Sequence, residues 1–146
     1  MVTTGSNHRF HHPDLVEQRH ERDFIRSHCP NGRDGFIAED LDLVLRAFGP
    51  TYQTDGRGRI RLVEIKFGNA SLGPSKRMTF GLIDEGLRKG LGPRYDGLYV
   101  VRTESRTWEE SSSFNVNGTV LDRDEFVAWL NWDASITVKP LALKGT

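Results

Sequence analysis

The spacing of apolar residues changes period along the chain, and each change marks an element. Leu15, Val16, Phe24 and Ile25 recur at helical spacing, with Glu17, Gln18, Arg19, Glu21 and Arg22 between them. Asp14 stands where a helix needs a cap, and Pro30 and Asn31-Gly32 follow as stop signals, so a helix is predicted over 14–28. Phe36-Ile37-Ala38 reads as a first short strand and Leu41-Asp42-Leu43-Val44-Leu45 as a second, both largely buried. A turn at 54–58, containing Asp55-Gly56, then joins the second strand to Arg59–Phe67 as an antiparallel hairpin. Pro74 opens a second helix reaching about Lys89, for which Met78, Leu82, Ile83 and Leu87 are the expected buried stripe. Residues 97–103, apolar on both faces, suit a central strand. Beyond them lie a polar loop over 104–113, a short strand at Phe114–Val116, a capping box Asp122-x-x-Glu125 opening a short helix, and an edge strand at Ile136–Val138. Residues 1–13 form a polar tail expected to be flexible, and they hold His8, His11 and His12 without a ligand spacing.

The order is that of an α/β domain: a mixed β-sheet flanked by helices in a core at 14–103, with 104–146 as a small C-terminal appendage packed on it. The length of 146 residues fits a single domain.

Two positions break the apolar pattern. Side chains alternate along a strand, so Glu64 and Lys66 share a face with Ile60 and Leu62, and that face turns charged only near its end. On the partner strand Asp42 sits among aliphatic residues, where a carboxylate needs a cation nearby. A hairpin brings the start of one strand beside the end of the other and so places Asp42 near Glu64. Adjacent carboxylates repel, and a divalent cation resolves that repulsion. Oxygen donors suit Mg²⁺ or Mn²⁺ rather than zinc. The plainer alternative is a same-face salt bridge of Glu64 with Lys66 on an exposed sheet.

This arrangement resembles the PD-(D/E)xK nuclease superfamily, most nearly its small Holliday-junction-resolvase-like members, over about residues 14–103. The resemblance rests on Asp42, on Glu64-Ile65-Lys66 in the next strand, and on the helix and strand downstream. It implies a restriction-endonuclease-like αβββαβ core. By the resemblance, Asp42, Glu64 and the carbonyl of Ile65 bind the metal, Lys66 orients the attacking water, and Glu21 on the first helix completes the metal shell. The bland reading of Glu21 is the solvated face of its helix.

Charge and cysteine content narrow the partners. Twenty Lys+Arg against 20 Asp+Glu leave no net charge, which argues against a strongly basic coat and leaves room for a local basic face. Arg57, Arg59, Lys76 and Arg77 are the candidates for phosphate contacts, with a solvated surface as the alternative. The lone Cys29 has no partner for an internal disulfide, and neither a signal peptide nor a membrane span is evident, which points to a cytoplasmic protein. The expected function is a Mg²⁺-dependent endonuclease acting on DNA, structured or branched DNA included, as a homodimer formed through the segment from Phe114 onward. The alternative is an inert nucleic-acid-binding or protein-interaction module that keeps the nuclease fold.

Overall fold

The computed structural model describes residues 15–30, 32–35, 38–49 and 57–143. The tail at 1–13, most of the turn at 54–58 and Phe36-Ile37 of the expected first strand lie outside them; Ala38 is irregular. The chain divides into two units, residues 1–40 and 41–146. In the first, α1 spans Leu15–His28, as its periodicity predicts, and ends in a stacked Phe24–His28 pair.

The second unit is an α/β fold built on a mixed five-stranded sheet. Its elements run β1 (Leu43–Ala47), β2 (Arg59–Phe67), α2 (Pro74–Leu91), β3 (Tyr95–Thr103), β4 (Ser113–Val116), β5 (Thr119–Asp122) and α3 (Arg123–Leu130). Spatial order follows chain order. β1 and β2 form the expected antiparallel pair, Leu43 opposite Val63. β2 and β3 are parallel and joined through α2, the crossover that two parallel neighbours require. β4 and β5 then add two antiparallel strands at the far side of β3.

Several boundaries differ from the sequence reading. β5 was not expected, although Asn117-Gly118 announces it. Both residues take positive φ, 50° and 92°, and so make the tight primed turn that a two-residue hairpin needs. The segment beyond Phe114 therefore continues the sheet, and Phe114, Val116, Leu121, Phe126 and Trp129 form much of one core. Ile136–Val138 is not a strand. That chain is instead fixed by single contacts: Val138 is buried, Leu141 N–H donates to Leu98 O, and the Asn117 amide donates to Lys139 O. It crosses β3 where Gly97 has φ +126°, and a Cβ there would stand 2.4 Å from Pro140 Cβ. Only glycine permits both that backbone and that approach.

α2 shows the largest shift. Met78, Leu82 and Ile83, three of the four expected core positions, are exposed. Phe80, Gly81 and Asp84 are buried instead, and Leu87 and Leu91 pack with Phe80 on Leu62 and Leu98. The helix is apolar on more than one side, so its sequence alone does not say which stripe meets the sheet. Asp84 is tolerated inside because the Tyr95 hydroxyl donates to it at 2.6 Å and Arg88 pairs with it at 3.3 Å. At α3 the reciprocal capping box is formed: Asp122 accepts from Glu125 N–H, and the Glu125 side chain accepts from Asp122 N–H.

The sheet has a core on each side, and β2 contributes to both. Val63 joins the α3 side and Leu62 the α2 side. Arg61 also points to the α3 side, buried, with its guanidinium over the rings of Trp132, Trp129 and Tyr99. It donates to Trp129 O at 2.6 Å and pairs with Asp96 at 3.2 Å. Asp96 also accepts from Arg59 at 2.8 Å and from the Trp132 indole. This cluster clamps the end of α3 to the two central strands. Arg61→Met, which leaves Asp96 short of a cation, is expected to lower unfolding free energy by about 3 kcal/mol in urea titrations. A loss under about 1 kcal/mol would show that the remaining Arg59 contact suffices.

Candidate active site

The carboxyl-terminal half of β2 carries the unusual chemistry. Glu64 is 1% exposed, pointing to the α2 side of the sheet. Asp42 lies in a bend immediately before β1, so the expectation of a buried Asp42 inside a strand is corrected: Asp42 is exposed. The reason is local. The β1–β2 ladder begins at the Leu43–Val63 pair, which leaves Asp42 one step outside it and opposite Glu64. There its Oδ2 accepts the Ile65 N–H at 2.7 Å, and its carboxyl is close enough to that of Glu64 to act on it.

The cation in contact is Lys76, from the first turn of α2. Its Nζ lies 2.8 Å from Glu64 Oε2. The approach is off the direction of a regular hydrogen bond, and Oε2 is among the buried polar atoms that lack one. Lys76 also lies over the Phe80 ring at 5.5 Å, one helical turn on. The sequence reading gave Lys76 to nucleic acid and the nearby positive charge to Lys66. Lys66 lies two residues beyond Glu64 on the same face, half-buried, and forms no ion pair among the described residues. The signal for Lys76 lay in topology. A helix that returns from β2 to a parallel β3 starts over the carboxyl end of β2, so its first side chains reach the groups there.

The other candidates separate into two kinds. Arg59 is engaged with Asp96 within the fold, as Lys76 is with Glu64. Arg57 and Arg77 are exposed. Ile65 is 38% exposed. Glu21 is exposed on α1, in the unit of residues 1–40.

Burial is the main force on Glu64. Loss of hydration, then the Asp42 carboxyl, push its pKa up from 4.5 to about 7, and Lys76 opposes the rise. Among the described residues no three His, Cys, Asp or Glu side chains gather into a metal-binding group. The two carboxyls that lie together are hard oxygen donors of the kind a small divalent cation takes. The buried Oε2 without a regular hydrogen bond is the atom that gains most from it.

Comparison with family models, with curated proteins and with solved structures gives no match to this chain.

The raised pKa makes stability depend on pH. Folded Glu64 binds its proton more tightly than the unfolded chain does, so its contribution is complete below pH 4.5 and disappears as pH rises to about 7. In chelator, Glu64→Gln is expected to flatten this part of the stability profile, by roughly 2–4 kcal/mol across the window. Parallel urea-unfolding profiles for the two proteins from pH 4 to 8 would show that Glu64 titrates as it does in water.

Proposed function

We propose that the chain is a Mg²⁺-dependent phosphodiesterase that cleaves DNA, with Mn²⁺ able to replace Mg²⁺. The observation that supports this reading is the approach of Asp42, in the bend before β1, to Glu64 of β2, with Lys66 on the Glu64 face. The site lies toward the carboxyl ends of the parallel strands β2 and β3, where open α/β sheets place their ligands. Membership of the PD-(D/E)xK superfamily, inferred from Asp42 and Glu64-Ile65-Lys66, is part of the same proposal.

A bound divalent cation supplies a water of lowered pKa and offsets the charge of the scissile phosphate. Asp42 and Glu64 are the side chains that would hold it, with the Ile65 carbonyl as the further oxygen the resemblance implies. Glu64 would hold the cation in its ionised form. Lys66, half-buried, offers an ammonium to the attacking water or to a non-bridging phosphate oxygen, where negative charge builds up. The exposed Arg57 and Arg77 would contact phosphates on this reading, whereas Arg59 serves Asp96. The protein acts as a homodimer on this reading, one copy for each strand of a duplex or branched substrate.

A second reading has its own support. Lys76 already balances Glu64, and two carboxyls rather than three meet, as suits an inert binding module that keeps the fold. Cleavage decides between them. On a panel of labelled duplex, branched and single-stranded DNA in Mg²⁺ or Mn²⁺, Asp42→Ala and Lys66→Ala are each expected to lose at least about 100-fold in rate. Both should keep the far-ultraviolet circular dichroism of the wild type. An unvaried rate in either variant removes that residue from the mechanism, and wild-type protein that cuts no substrate on the panel leaves the binding module.

A further inference from the structure

Two buried ion pairs in this fold differ in kind. Asp96 is saturated: it accepts from Arg59, Arg61 and the Trp132 indole, and Arg61 is itself held among aromatic rings. Glu64 is not. Its Oε2 is buried and lacks a regular hydrogen bond, and the Lys76 ammonium meets it off-axis at 2.8 Å. The Lys76 side chain is 18% exposed against 1% for Glu64, so the ammonium reaches the carboxyl from the wetter side. It does so on a flexible four-carbon stem from the first turn of a helix, with three rotatable donors and no planar fork to fix it.

We propose that Lys76 is a displaceable internal counter-ion: it occupies the cation place beside Glu64 in the metal-free protein and swings to the substrate phosphate when a divalent cation enters. This rests on the reading of Asp42 and Glu64 as a metal site. An ammonium and a dication on one carboxyl repel strongly in a partly dry setting. Metal entry therefore favours departure of the ammonium, and a substrate phosphate offers it a new anion. Lys76 then has a role separate from that of Lys66. It sets how tightly the site takes metal, and it contributes charge only after the exchange.

The test is calorimetric titration of Mg²⁺ into the chelator-stripped full chain at pH 8.5, for the wild type, Lys76→Met, Lys76→Gln and Lys76→Arg. Lys76→Gln keeps a donor on the carboxyl and guards the fold if Lys76→Met is unstable. The Met and Gln variants are expected to bind Mg²⁺ at least about tenfold tighter than the wild type, while Lys76→Arg, still cationic, does not tighten. On DNA, Lys76→Gln should cleave more slowly at saturating Mg²⁺, so affinity and rate move in opposite directions. A folded Lys76→Gln that binds Mg²⁺ no tighter than a wild type that does bind would overturn the counter-ion role and leave the metal site standing. No heat of binding for the wild type or any variant would remove both.

Discussion

Strand β2 carries an ionised or ionisable group into the interior on each of its faces, and the rest of the unit from residue 41 onward is arranged around that fact. Arg61 enters the α3 side and Glu64 the α2 side. A charged group moved out of water is tolerated only with partners that replace its hydration. In the structure those partners come mostly from other elements. They come from β3 and α3 in one case and from the first turn of α2 in the other. The long-range order of the fold thus follows two charge-compensation problems as much as it follows apolar burial.

The two problems are solved differently, and the difference separates structure from function. Around Arg61 the answer is fuller, although its buried Nε has no hydrogen-bond partner among the described residues. A carboxylate, a backbone carbonyl and stacked indoles surround the guanidinium, and the same Asp96 draws in Arg59 and Trp132. Such a cluster fixes the end of α3 against the sheet and leaves little chemistry to spare. Around Glu64 the answer is partial. One off-axis ammonium offsets the burial without saturating the oxygens, and the Asp42 carboxyl works against it. Incomplete compensation in a buried carboxyl raises its pKa toward neutrality, which is the behaviour expected of a group that exchanges a proton or a cation.

Cations that look like a basic face in the sequence are partly consumed inside the molecule. Arg59 and Lys76 are bound to Asp96 and Glu64, whereas Arg57 and Arg77 remain at the surface. The chain's zero net charge is therefore not an even mixture of charges over its exterior. Some of the balance is achieved pairwise in the interior, where it serves the fold.

The sequence by itself determined what depends on near neighbours. Helical spacing and capping marked α1 and α3, the Pro74 start and glycine stop marked α2, and alternation marked β2 with the carboxylate at its charged end. The hairpin expected from the turn at 54–58 also brought Asp42 toward Glu64, while the register itself, Leu43 opposite Val63, is seen only in the structure. Only tertiary structure decided the rest. Met78, Leu82 and Ile83 are as apolar as Phe80 and Leu87, and the angle at which α2 crosses the sheet chooses between the stripes. Lys66 is nearer Glu64 in sequence than Lys76, yet the crossover to a parallel β3 sets the first turn of α2 over the carboxyl. Which cation meets a buried anion is a matter of distance in space, and local periodicity contains no information about that distance.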